Sequence, residues 1–114
     1  MNDRRVLSLL AFAAILAASA AFAIDQEPGD VERGHDFAKA NCATCHAVEK
    51  TGLSPYAPAP PFRTLHLKYD VEGLAEALAE GIVVGHTGPR QMPEFVLEPD
   101  EIDDLLAYLK SLEK

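Results

Sequence analysis

Basic residues are scarce in this chain: 10 lysines and arginines against 18 aspartates and glutamates leave a formal charge of −8. A surface of that sign repels phosphate backbones and anionic headgroups, which argues against nucleic acid as a partner. Cysteine is scarcer. There are two, Cys42 and Cys45, and once this pair has another use no disulfide is left to staple a small exported domain. None of His35, His66 and His86 pairs with another histidine at short spacing, so the second ligand pair of a structural zinc site is missing. No strand-like run precedes Cys42, so the βαβ setting of a dithiol oxidoreductase is missing too. The chain has no internal repeat, and no low-complexity tract beyond an apolar leader and a proline-rich loop.

What the two cysteines do form is Cys42-Ala43-Thr44-Cys45-His46. Two thiols three residues apart with a histidine directly behind them is the attachment pattern of c-type haem. The thiols add to the two vinyl groups and hold one edge of the porphyrin as thioethers. His46 then lies under the iron as proximal ligand. On one helical turn all three side chains point to the same side, so five residues serve both attachment and ligation of one haem c.

The first residues read as an address. Arg4 and Arg5 form a positive n-region, Val6 to Ala23 is apolar apart from Ser8 and Ser19, and Ala21-Phe22-Ala23 is an A-x-A cleavage site. The pattern predicts a secretory signal peptide over residues 1–23, export to the periplasm, and a single mono-haem domain over 24–114. An uncleaved membrane anchor is the alternative, since about 18 apolar residues is near the lower limit for a span; the alanine-rich composition and a second small-residue site at Ala18-Ser19-Ala20 favour cleavage. Removal leaves 114 − 23 = 91 residues with a charge of 8 − 17 = −9. So short a chain makes a poor apolar core unaided, and a covalent haem supplies the missing buried surface.

Along the chain, Ile24 to Gly29 reads as a frayed start. Asp30 is an N-cap, and Val31, Gly34, Phe37, Ala38 and Cys42 recur at helical spacing, predicting a helix from Val31 to Ala43. Gly34 within it marks a close crossing by another element. His35, among charged residues, reads as a solvated surface histidine. Ala47 to Tyr69 contains Pro55, Pro58, Pro60 and Pro61 and is predicted as a long ordered loop covering a face and edge of the haem, with Arg63 and His66 as candidates to sit near the propionates. A second helix runs from Val71 to Gly81 behind an Asp70 cap. The last starts at Glu98 and Pro99 and buries Ile102, Leu105, Leu106, Leu109 and Leu112. Met92 is the only methionine after the leader, stands before Pro93 and follows a turn-rich stretch, so it is the candidate distal iron ligand; its thioether favours reduced iron and reversible one-electron transfer. His86 in the same stretch is the competitor and His66 a more distant one. A vacant sixth position is the remaining alternative.

These features resemble the class I cytochromes c, in particular small mono-haem periplasmic members of alphaproteobacterial type. The resemblance spans nearly all of the mature chain: Gly34 in the entry helix, the Cys42–His46 motif, Ala59-Pro60-Pro61-Phe62, Met92-Pro93 and a closing helix ending Leu106-Ala107-Tyr108-Leu109. It implies an all-α fold, three to four short helices wrapped around one haem with the long proline-rich loop. It also implies that the first and last helices cross with Gly34 against Tyr108, and that the Pro60 carbonyl accepts a hydrogen bond from the proximal His46. The chain departs from the family where Ala38 stands four residues before Cys42, in place of the expected aromatic. The implied function is a periplasmic carrier of single electrons, not an enzyme, cycling Fe(III)/Fe(II) between redox proteins or membrane-bound oxidase or dehydrogenase complexes that present a basic or apolar patch. The alternatives are a peroxidase-like enzyme, a ligand-binding sensor with a displaceable sixth ligand, and an electron-transfer subunit of a larger complex.

Overall fold

The computed structural model describes residues 28–81 and 91–114. The expected signal peptide and His86 lie outside them. Helix α1, Val31–Asn41, starts where the Asp30 carboxylate accepts the Arg33 amide at 2.9 Å, satisfying one of the orphan donors of the first turn. It ends two residues earlier than the spacing predicts. The Cys42 carbonyl accepts both the Cys45 amide at 3.2 Å and the His46 amide at 2.9 Å, so the chain turns tightly through the motif instead of continuing the helix.

A six-residue 3₁₀ helix, Phe62–Leu67, interrupts the predicted loop. Pro61 opens it, with the Thr64 amide bonded to its carbonyl at 3.0 Å, and so short a three-residue repeat leaves no 3.6-residue periodicity to read. Helix α2, Leu74–Glu80, begins three residues later than expected. Asp70 does accept the Glu72 amide at 3.2 Å, but this cap holds a turn ahead of the helix. Gly81 ends α2 at φ +103°, a conformation that favours glycine. Helix α3, Pro99–Ser111, opens with the Glu98 amide donating to the Glu101 carboxylate at 3.0 Å and Pro99 in its first turn. Its predicted stripe of Ile102, Leu105, Leu106, Leu109 and Leu112 is buried, against Ala38, Val48, Phe62, Val71, Leu78 and Leu97. The described residues contain helices and no strand, and the fold is all-α.

The helices α1 and α3 meet backbone to backbone. A Cβ on Gly34 would lie 2.0 Å from the Asp104 carbonyl oxygen and 2.9 Å from the Tyr108 Cβ. Gly29, expected in a frayed end, is fixed in the same way: a Cβ there would lie 1.9 Å from the Asp103 carbonyl oxygen. Ala38 is fully buried behind this crossing. The side chain of Asp104 spans the two helices, accepting the Asp30 amide at 2.6 Å, Arg33 Nε at 2.7 Å and Arg33 Nη2 at 3.0 Å. His35 is a correction to the reading as a solvated residue. It is half-buried, its Nε2 pairs with Glu49 Oε1 at 2.8 Å, and its ring centroid lies 4.8 Å from that of Tyr108. The Lys110–Glu72 ion pair across α3 and the start of α2 is exposed on both sides and contributes little.

Two consequences are measurable. Gly34→Ala pushes a methyl group into a backbone carbonyl that cannot move without separating the helices, and denaturant unfolding should show a loss of about 2–3 kcal/mol. The Arg33 guanidinium, helped by the Asp30 amide, holds the Asp104 carboxyl below its ordinary value of 3.8. A depressed carboxylate stabilises the fold above its unfolded value and loses that stabilisation as pH falls through the folded one. Unfolding midpoints followed downward from about pH 5 should therefore drop more steeply in the wild type than in Asp104→Asn, which starts lower and lacks this contribution.

Candidate haem site

His46 is positioned by backbone bonds on both sides. Its amide returns to Cys42; the Tyr56 amide donates to the Cys45 carbonyl at 3.1 Å, and the Phe62 amide to the Ala47 carbonyl at 2.9 Å. The Ala47 amide donates to Ser54 Oγ at 3.0 Å. This loop is tied to the helix crossing, because Tyr108 Oη donates to the Val48 carbonyl at 2.5 Å. The result is a buried imidazole whose ring centroid lies 5.1 Å from that of Phe62.

The His46 ring has Nδ1 2.7 Å from the Pro60 carbonyl oxygen. A carbonyl only accepts, so Nδ1 carries the proton and the lone pair resides on Nε2, which is buried. That tautomer is the one a metal-binding imidazole needs, and the bond fixes the ring while raising its basicity toward a metal. Cys42 and Cys45 are not joined in a disulfide and lie half-buried on the same turn. Burial pushes the Cys42 thiol up to about 11; within the fold it is neutral at ordinary pH and weakly nucleophilic.

The surroundings fit a haem. Phe37, Leu65, Leu74, Met92 and Phe95 are half-buried apolar side chains packed against the core, and no large side chain among the described residues is fully buried. A porphyrin would cover such a rim with apolar surface. No three side chains of His, Cys, Asp or Glu type converge among the described residues.

Met92 is half-buried against the core, and the segment that follows it is anchored. The Leu97 amide donates to the Leu78 carbonyl at 3.0 Å, Leu97 is buried and Phe95 packs beside it, which draws residues 92–97 along α2. Arg63 and His66 lie on the 3₁₀ helix, half-buried, and Arg63 Nη1 and His66 Nδ1 have no hydrogen-bond partner among the described residues. Sequence reasoning missed the contact of Phe62 with the His46 ring, although Phe62 stood in the quoted Ala59–Phe62 motif. It also missed Asp104, one acid among several on α3, which carried no distinguishing signal.

A helical fold that closes around a buried histidine, two thiols on the preceding turn and an apolar rim defines a c-type haem domain. The cytochrome c family model matches residues 31–113. The chain is 32% identical over 89 residues to a cytochrome c-553-like protein of Synechocystis, covering 74% of this chain and 70% of that protein. It is 34% identical over 83 residues to cytochrome c-552 of Bradyrhizobium diazoefficiens, covering 73% and 75%. It is also 32% identical over 88 residues to a cytochrome bc1 complex cytochrome c subunit of Corynebacterium diphtheriae, of which it spans only 28%. The chain belongs to the cytochrome c family: it is an electron carrier with covalently bound haem c.

Replacing both Cys42 and Cys45 by alanine should leave no haem that resists acid extraction in the pyridine haemochrome assay, and should remove the compact fold as judged by circular dichroism and proteolysis. A double variant that folds compactly without haem would contradict the role of the cofactor as part of the core.

Proposed function

We propose that this chain is a mono-haem carrier exported to the periplasm after cleavage of residues 1–23, and that it is not an enzyme. Cys42 and Cys45 hold the haem, His46 is the proximal ligand oriented by Pro60, and Met92 is the distal ligand. The bond between His46 and the Pro60 carbonyl is the observation that carries this reading, because it sets the tautomer and aim of an axial imidazole.

Bound haem supplies the Fe(III)/Fe(II) couple. The residues of the chain do the rest. His46 is held rigid by the loop bonds on both its sides, so its ring has little freedom to reorganise between oxidation states. Phe62, whose ring lies beside that of His46, keeps water from that side of the imidazole, which limits solvent reorganisation. Met92, stiffened by Pro93, offers a soft sulfur that favours reduced iron. No step calls for a general acid or base.

The charge of −9 after cleavage, together with the exposed apolar Leu53, Leu67 and Val96, suits redox partners or membrane complexes with a basic or apolar patch. Their encounter is weak and falls with salt. The likeness to bc1-complex subunits favours a second reading, an electron-transfer subunit docked in a larger assembly. Copurification separates the two.

The oxidised and reduced spectra of the haem-loaded protein test the ligand set. The expected result is the weak far-red charge-transfer band of methionine-ligated ferric haem and a reduced Soret band that carbon monoxide does not move. A ready carbon monoxide shift in the wild type would transfer the reading to an enzyme or sensor. Met92→Ala should keep haem attached, lose the far-red band and lower the reduction potential or open the site. Retention of the band would point to a different sixth ligand.

A further inference from the structure

Of the 10 − 2 = 8 basic residues outside the leader, Arg33 and Lys110 form ion pairs, while three others converge from separate parts of the chain. Lys50 follows the haem-binding turn, Arg63 lies on the 3₁₀ helix and Lys114 lies beyond the end of α3. They line one open pocket of about 260 Å³ together with Thr64, Ser111 and Leu112. No acidic side chain lines it, and none of the three cations forms an ion pair among the described residues. Even with a carboxylate on Lys114 counted against it, the group is net positive on a strongly acidic protein.

Arg63 gives the pocket its direction. Its Nη1 is buried without a hydrogen-bond acceptor, a costly arrangement unless something outside the chain supplies one. The hydroxyls beside it accept no bond from this nitrogen, and their protons are engaged locally: Thr64 Oγ1 donates to the Pro61 carbonyl at 2.9 Å and Ser111 Oγ to the Tyr108 carbonyl at 2.5 Å. The donors left for a ligand are all cationic. A ligand that only accepts, with several oxygens for the guanidinium fork and two ammonium groups, meets that inventory.

We propose that this pocket is a binding site for a phosphate-class oxyanion. It lies where the 3₁₀ helix meets the end of α3, and neither His46 nor Phe37, Leu65, Leu74, Met92 or Phe95 is among its lining residues. The proposal is independent of which residue is the sixth ligand.

The test uses the ferrous, haem-loaded protein, whose diamagnetism permits backbone amide NMR. Inorganic phosphate is titrated at constant ionic strength made up with chloride. Saturable shifts at Lys50, Arg63, Thr64 and Ser111 are expected, weakened about tenfold or more in Arg63→Gln and unchanged in Lys39→Gln, which removes a lysine elsewhere on the surface. Should Arg63→Gln fail to load haem, Lys50→Gln on the exposed loop carries the same comparison, with weakening expected and unaltered binding overturning the site. Shifts that chloride reproduces, or phosphate binding untouched by Arg63→Gln, would also overturn it. So would a changed reduction potential in Arg63→Gln with no saturable phosphate response, which would assign Arg63 to a haem propionate. Vesicles containing phosphatidylglycerol separate free phosphate from a lipid headgroup: sedimentation that inorganic phosphate competes away supports the pocket, and sedimentation that it leaves unchanged refutes it.

Discussion

The contact of α1 with α3 at Gly34 is the constraint on which the rest depends. Two helices usually stand 8–10 Å apart because side chains separate them. Here the Asp104 carbonyl occupies the space where a Cβ of residue 34 would be, and Asp103 does the same at Gly29. Contact this close leaves the approaching backbones no tolerance, so it fixes how α1 lies on α3 and hence where the haem-binding turn at its end can point. Asp104 then locks the junction from the side, joining the amide of Asp30 to the guanidinium of Arg33.

From that junction a short series of bonds reaches His46, the proposed iron ligand. Tyr108, beside Gly34, donates to Val48; the neighbouring Ala47 accepts from Phe62; Phe62 packs on the ring of His46; and Pro60, two residues before Phe62, accepts from Nδ1. Each link is a backbone group or a ring contact, with little rotamer freedom. As the proposed proximal ligand, a histidine held in this manner would resist reorientation when the charge on its metal changes, a requirement of reversible electron transfer more than of substrate chemistry. The site has stiffness built in.

What could be read from the residues alone follows from how local each signal is. The Cys42–His46 motif is complete within five residues, and α3 announces itself through Pro99, its acidic first turn and an apolar stripe repeated over more than three turns. Gly34 could be read as a crossing point because a glycine inside a helix needs a reason. The 3₁₀ helix at Phe62–Leu67 could not, since six residues after two prolines carry no helical period, and the start of α2 was misplaced because Asp70 caps a turn with the same chemistry that caps a helix. His35 and Asp104 were illegible for another cause. Their partners, Glu49 and Arg33, lie 14 and 71 residues away, and nothing in a run of acidic and basic residues tells which of them meet.

The distribution of charge closes the argument. Acidic residues outnumber basic ones by 18 to 10 in this small protein, yet three cations with no ion pair among the described residues gather where the 3₁₀ helix meets the end of α3. Like charges that converge without a counter-ion destabilise a fold, and nothing at the crossing or in the haem-binding loop requires Lys50, Arg63 and Lys114 to be neighbours. Arg63 could have served the 3₁₀ helix as any half-buried side chain with an apolar stem. That it buries a guanidinium nitrogen without an acceptor among the described residues, in a pocket lined by two lysines and no acid, fits a negative charge supplied from outside the chain.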